Sequence, residues 1–231
     1  MTRPTIILTG ASGGLGRALA FGLWANYDLI GTYWQTPIES MAEHVAFYRM
    51  NVQDAESVAA FAAQVLPMLG PVVLVNLAGV SIDGMAHKLA EDAWDQVLNT
   101  NLKGAWLMSR AFLPHMRAFG WGRIVNVSSV VGQMGVPGTA AYAASKSGLF
   151  GLTRTLAAEN ATKGVTVNAL ALGYFQAGMG MALTGKVAEA VTAKIPMGKF
   201  GDSANVSAAI RFCIAADYMT GAVIPLNGGL L

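Results

Sequence analysis

A doubly wound α/β fold, a parallel sheet covered by helices on both faces, is the architecture the sequence predicts, and two observations carry that prediction. Short β-branched apolar runs alternate with helical stretches, which is the mark of repeated βαβ units. The first run also empties directly into a glycine-rich turn, the arrangement that opens a helix beside a strand. No Ser/Pro-rich stretch, charge block, internal repeat or low-complexity run interrupts the 231 residues, so one domain spanning 1–231 is expected.

The predicted strands are Thr5–Thr9, Leu29–Tyr33, Val45–Met50, Val72–Asn76, Arg123–Ser128, Val165–Ala171 and Ala222–Leu226. After the first comes Gly10-Ala-Ser12-Gly13-Gly14-Leu15-Gly16. Missing Cβ atoms at Gly10, Gly14 and Gly16 let a diphosphate approach the backbone, and a helix N-terminus supplies free N–H groups. The spacing is G-x-x-x-G-x-G, a departure from G-x-G-x-x-G. Between Tyr33 and Val45 there is room only for a loop or one or two turns. Right-handed crossovers bring Thr9, Asn76, Ser128 and Ser129 to one sheet edge, where such folds bind ligands. In the predicted helix Ala204–Ala216, the lone Cys213 reads as a buried small apolar residue.

Composition narrows the function classes. A net charge of +2 argues against nucleic acid or an acidic membrane surface as partner. No apolar stretch reaches the roughly 18 residues of a membrane span, and the N-terminus lacks a signal-peptide pattern. With one cysteine, the chain is expected to be cytoplasmic. Hydrophobic content of 54% with 12% charged residues implies surface hidden against another subunit, in a homodimer or homotetramer. No metal is expected.

Tyr142 and Lys146 stand four apart in the helical run Ala140–Gly151, so phenol and ammonium share one face. A neighbouring cation favours the phenolate, the shift that proton transfer near neutral pH requires. With Ser129 upstream and the glycine turn, the pair reads as a hydride-transfer site.

Six segments in order, Thr9–Gly16, Asn76-Leu-Ala78-Gly79, Asn99-Thr-Asn101-Leu, Ser128-Ser129, Tyr142-Ala-Ala-Ser-Lys146 and Asn227-Gly-Gly229, resemble the classical short-chain dehydrogenase/reductases, which have a Rossmann-type fold. Gly122–Asn126, Ala161–Asn168 and Leu226–Leu230 are most similar to the 3-oxoacyl thioester reductases, acetoacetyl-CoA reductases above all. The resemblance implies a tetrad of Asn101, Ser129, Tyr142 and Lys146. Tyr142 would protonate the carbonyl oxygen, Lys146 would lower the phenol pKa and hold the nicotinamide ribose, Ser129 would hold the same oxygen, and Asn101 would anchor a water. Ser128 would point away, because strand neighbours alternate faces. It also has Asn76 and Gly79 stabilise the central strand and let the adenosine ribose lie against the backbone, and places Ala78 and Gly173 along the cofactor, Asn51 at the adenine amino group and Val52 behind its ring. For Asn51 an ordinary turn is the competing reading. The helices Tyr142–Lys163 and Leu102–Arg117 would form the subunit interface.

The second strand ends Tyr33-Trp34-Gln35-Thr36, with neither the carboxylate that selects NAD nor an Arg for the 2′-phosphate of NADP. The missing carboxylate leads us to expect NADP(H), with NAD(H) left open. Polar Tyr33, Gln35 and Thr36 would bond the phosphate while Trp34 stacks on adenine. Two positions depart from the family: Leu172 replaces a Pro, and Ala177 a Thr that bonds the carboxamide. Residues 174–200, rich in Met and Gly, would form a lid over substrate or a Met-lined core helix. Gln133 and Tyr174 match positions that face the acyl group. Sparse basic residues, Arg117 and Lys163, favour a CoA thioester slightly over acyl carrier protein. A free ketone, a secondary alcohol or polyol, and a non-catalytic nucleotide sensor are the alternatives.

Overall fold

The computed structural model describes residues 3–39, 45–178 and 184–231. Among them, β1 (Thr5–Leu8), β2 (Asp28–Tyr33), β3 (Val45–Arg49), β4 (Val72–Asn76), β5 (Gly122–Ser129), β6 (Val165–Leu172) and β7 (Val223–Leu226) form one sheet. Its order is β3-β2-β1-β4-β5-β6-β7, and every pairing is parallel. All seven predicted strands are present, with ends shifted by one residue where they differ. Strand β6 runs on through Leu172, which pairs with Ser129 on one side and Leu226 on the other, so the Leu in place of the family Pro belongs to the sheet. Residues 34–39 form no helix, as the short connection implied, and 40–44 lie outside the described residues.

Helices α1 (Gly14–Leu23), α2 (Ala55–Val65), α3 (Glu91–Leu98), α4 (Gly104–Phe119), α5 (Ala140–Asn160), α6 (Gly185–Thr192) and α7 (Ser203–Ala215) complete the chain. Alternation along each strand divides the core in two. Ile7, Leu74, Ile124 and Val167 pack with Phe61, Met108, Phe112 and Leu156 on the side of α2, α4 and α5. Ile6, Leu8, Val73, Val75, Val125 and Val127 pack with Leu19, Leu23, Val206 and Ile210 on the side of α1 and α7. Strands buried on both faces must be apolar at nearly every position, and β1, β4, β5 and β6 are buried throughout. Cys213 lies in the second core, where burial pushes its thiol up to about 11.

One polar chain crosses the first core. Asn76 Nδ2 donates to Asn126 Oδ1 at 2.8 Å, and Asn126 Nδ2 donates to Thr153 Oγ1 at 2.9 Å. Asn76 Nδ2 also lies 3.4 Å from Ser109 Oγ and from the Ala105 carbonyl. The chain links α4, β4, β5 and α5 at a level set by side-chain geometry, which apolar packing alone would leave free to slide. Asn126 is fully buried, so replacing it strands two polar partners without solvent. Asn126→Leu is therefore expected to cost roughly 2 kcal/mol or more of folding stability, measured by urea denaturation. A loss below about 0.5 kcal/mol would show that the chain does not tie the helices.

Candidate active site

The carboxyl ends of β1, β4, β5 and β6 open into one crevice. Thr9 sits beyond β1 with its hydroxyl accepting hydrogen bonds from Leu77 N and Ala78 N, both at 3.0 Å. It thereby fixes the segment after β4 against the glycine turn. At Gly10, φ is +70° and an added Cβ would meet Ala78 Cα at 2.9 Å, so Gly10 and Ala78 touch as backbones. Ala11 N donates to the Thr32 carbonyl at 2.8 Å, which sets the turn beside the end of β2. Helix α1 begins with Gly13 as its N-cap and no side-chain cap, leaving first-turn N–H groups for an anion. A Cβ at Gly13 would meet only the Gly10 carbonyl, at 3.4 Å, so the cradle is open there. An open, uncapped helix start of this kind fits the diphosphate of a dinucleotide cofactor. Gly14 has a different reason to be glycine: its Cβ would meet Gly178 N at 2.7 Å, where the segment after β6 folds against the turn.

Tyr142, Lys146, Ser129 and Asn101 converge on this crevice. The Ser129 hydroxyl lies close enough to the Tyr142 phenol to lower its pKa and accepts from Val131 N at 3.2 Å. Lys146 is buried, its Nζ donating to the Val127 carbonyl at 2.8 Å and lying 5.6 Å from the centre of the Tyr142 ring. Desolvation of the ammonium lowers its pKa to about 8. For the phenol the direction differs from the sequence expectation. Burial raises the Tyr142 pKa, Asp83 and Tyr174 raise it further, and the group that lowers it is the Ser129 hydroxyl, not Lys146. The ammonium is directed to the Val127 carbonyl at the end of β5 and lies over the ring.

Ser128 points away from Tyr142 as alternation requires, and there its hydroxyl donates to the Lys146 carbonyl at 2.8 Å. Both ends of Lys146 are therefore held by consecutive residues of β5, a role its parity alone did not reveal. Asn101 lies in a π-helical turn, Asn99–Lys103, between α3 and α4. Its Oδ1 accepts from Val80 N at 2.8 Å, and its Nδ2 donates to the Val80 carbonyl at 2.9 Å and to Ser145 Oγ at 3.0 Å. A Cβ on Gly79 would come within 3.2 Å of Asn101 Oδ1 and 3.5 Å of Lys146 Nζ, so glycine leaves the gap between them clear. Asn76 does not line this gap, being spent on the core chain.

On the far side of the glycine turn, Tyr33 ends β2 and Trp34 follows it. Beside them stands a residue that sequence reading passed over. Arg49, in register with Tyr33 across β2 and β3, lays its guanidinium over the Trp34 ring at 4.5 Å and donates from Nε to the Trp34 carbonyl at 3.2 Å. Asn51 makes the ordinary turn: its Oδ1 accepts from Gln53 N at 3.1 Å and its N–H donates to Ser57 Oγ at 3.0 Å. Val52 is buried, at the position a Cβ on Gly104 would meet at 3.0 Å.

After β6, Gly173 abuts Asn227, whose Cα a Cβ would meet at 2.7 Å, and its N–H donates to the Leu226 carbonyl at 2.9 Å. Tyr174 stacks on Phe200 at 5.9 Å and lines a cavity of ≈ 400 Å³ with Gln176, Lys199, Asn205 and Asn227. Ala177 brings no hydroxyl, and the Gln176 side chain is exposed. Gln133 is exposed on the rim beyond β5. Of the lid, α6 is helical and half or more exposed, so the described part is no core helix, and 179–183 lie outside the described residues.

Comparison with known proteins agrees with this geometry. The family model for short chain dehydrogenases matches residues 4–188. A 3-oxoacyl-[acyl-carrier-protein] reductase of Pseudomonas aeruginosa is 38% identical over 236 residues, covering 97% of this chain and 96% of its own. An acetoacetyl-CoA reductase of Shinella zoogloeoides is 38% identical over 239 residues, covering 99% and 98%. A crystal structure from Agrobacterium tumefaciens, assigned as a gluconate dehydrogenase, superposes with a TM-score of 0.91 at 27% identity, covering 98% of this chain and 95% of that one. With a parallel sheet in the order 3-2-1-4-5-6-7, a glycine turn after its first strand and Ser129, Tyr142 and Lys146 gathered at its carboxyl edge, the chain belongs to the short-chain dehydrogenase family of oxidoreductases.

Proposed function

We propose that this protein is an NADP(H)-linked reductase of 3-oxoacyl thioesters, giving the 3-hydroxyacyl product. One observation carries the reading: the buried Lys146 lies 5.6 Å from the centre of the Tyr142 ring with the Ser129 hydroxyl acting on the phenol, at the crevice that also holds the open glycine turn. The cofactor, when bound, supplies hydride to the carbonyl carbon. Tyr142 donates the proton to the carbonyl oxygen, and burial keeps that proton in place until the oxygen becomes basic. Ser129 donates to the same oxygen and tunes the phenol. Lys146 holds the nicotinamide ribose and is positioned by Ser128. Asn101 keeps Val80 and Ser145 in place around the Lys146 ammonium. Gly10, Ser12, Gly13, Gly14, Leu15 and Gly16 receive the diphosphate, with Ala78, Gly79 and Gly173 beside it.

The relatives named as reductases of acyl-carrier-protein and CoA thioesters support the substrate class. Tyr174 and Gln133 would meet the acyl chain under the lid of 174–200. A second reading, oxidation of a sugar acid or polyol, is favoured by the Agrobacterium structure and by polar Gln176, Lys199 and Asn205 around the cavity. For assembly, α4 and α5 are the proposed subunit interface. Trp106 on α4 is 41% exposed, and a Cβ on Gly151 would meet nothing, whereas Gly148 is already filled by Leu102 of the same chain.

Oxidation of NADPH and NADH with acetoacetyl-CoA, a carrier-bound analogue, free ketones and, in reverse, gluconate tests the reading. Thioesters should be preferred with NADPH, and turnover confined to gluconate or free ketones would overturn it. Tyr142→Phe is expected to keep cofactor affinity within a few-fold and to lose most turnover, since only the proton donor goes; activity near wild type would remove Tyr142 from the chemistry. Lys146→Ala should lower cofactor affinity as well as rate, and an unchanged affinity would refute the ribose contact. Linkage supplies a check independent of activity. Between pH 8 and 10.5 the unfolded lysine keeps its proton while the buried one has lost it, so folding stability rises with pH in that window. Wild type should gain up to roughly 3 kcal/mol relative to Lys146→Met across it, measured by urea denaturation at stepped pH, and a flat difference would mean that the ammonium is not desolvated.

A further inference from the structure

The end of β2 lacks the basic residue that would ordinarily meet a 2′-phosphate, yet a guanidinium occupies that place from another strand. We propose that Arg49, delivered from β3 and laid over Trp34, is the residue that reads the 2′-phosphate of NADP(H). The inference rests on the NADP(H) reading above and deepens it by naming the cation.

Four observations place Arg49 at the adenosine end of the cofactor groove. Its partner across the sheet is Tyr33, the last residue of β2. The next N–H along β3's chain, Met50 N, donates to the Tyr33 carbonyl at 2.8 Å, so the two strand ends are level. The glycine turn is bonded to the same strand through Ala11 N and Thr32 O, which puts the diphosphate cradle one strand away. Met50 alone separates Arg49 from Asn51 and Val52, which the resemblance places at the adenine. The 2′ position of an adenosine ribose whose diphosphate sits on α1 falls beyond the end of β2, and that is where this guanidinium lies.

The chemistry suits a phosphate. Nε is held by the Trp34 carbonyl and the plane rests on the indole, so the side chain is ordered before any ligand arrives. Its two terminal nitrogens have no partner among the described residues, and no carboxylate pairs with Arg49 among them. A planar donor fork that is ordered and unpaired matches a phosphate bidentately. Trp34 thereby serves as the platform under Arg49, a different task from stacking on adenine. A ribose lacking the phosphate offers only hydroxyls, for which a guanidinium gives little selectivity.

Calorimetric titration of wild type and Arg49→Gln with NADPH, NADH, 2′,5′-ADP and 5′-AMP tests the assignment without turnover. Wild type should bind NADPH over NADH and 2′,5′-ADP over 5′-AMP. Arg49→Gln should lose tenfold or more in affinity for NADPH and 2′,5′-ADP, a change of about 1.4 kcal/mol or greater. NADH and 5′-AMP should stay within twofold, which also shows that the variant is folded. Arg49→Lys should recover part of the loss. Equal affinity of wild type for the two cofactors would overturn the NADP(H) reading and this proposal together. A wild-type preference that survives Arg49→Gln would overturn the role of Arg49 alone. An equal loss for phosphorylated and unphosphorylated ligands would likewise refute it, because Arg49 would then only support the strand end.

Discussion

Burial of one ammonium organises this molecule. Lys146 carries its charge into the contact between α5 and the carboxyl end of β5, where the Val127 carbonyl receives it and desolvation draws its pKa down to about 8. Such a charge is tolerated only where polar groups are already aligned. That alignment comes from β5, whose residues alternate between core and helix contacts until Ser128 seizes the Lys146 carbonyl and Ser129 turns to Tyr142. The site is thus a continuation of the strand: wherever β5 sits, Ser129, Tyr142 and Lys146 sit with it.

The supporting layers follow from that placement. The Asn76–Asn126–Thr153 chain holds α4 and α5 at one height against β4 and β5, and Asn101, next to α4, reaches Ser145 on α5. Thr9 does the same work on the other side, tying the segment after β4 to the end of β1. Polar side chains set the level at which apolar faces meet, because hydrophobic contact is non-directional and a hydrogen bond is not.

The two ends of the groove differ in how they are built. At the reacting end, each functional group comes from a local motif or from the strand next to it. At the end of β2, the Trp34–Arg49 pair joins residues 15 apart that the register of β2 on β3 brings together. The pair depends on strand pairing, so a shift of one residue in β3 would turn Arg49 to the opposite face and leave Trp34 bare.

By itself the sequence determined the sheet, the glycine turn and the shared helix face of Tyr142 and Lys146, while the resemblance placed Ser129 beside them. The first three have local causes: uninterrupted apolar runs demand burial on both faces, glycines open a helix start, and residues four apart share a helix face. Tertiary structure decided everything that depends on which groups become neighbours across the chain. It turned the Lys146 ammonium toward Val127, leaving the Ser129 hydroxyl to lower the phenol against burial. It joined Asn76 to Asn126 across the core, kept Asn51 in a turn, and brought Arg49 onto Trp34. A residue's type and spacing state what it is able to do, and only packing and strand register decide what it meets.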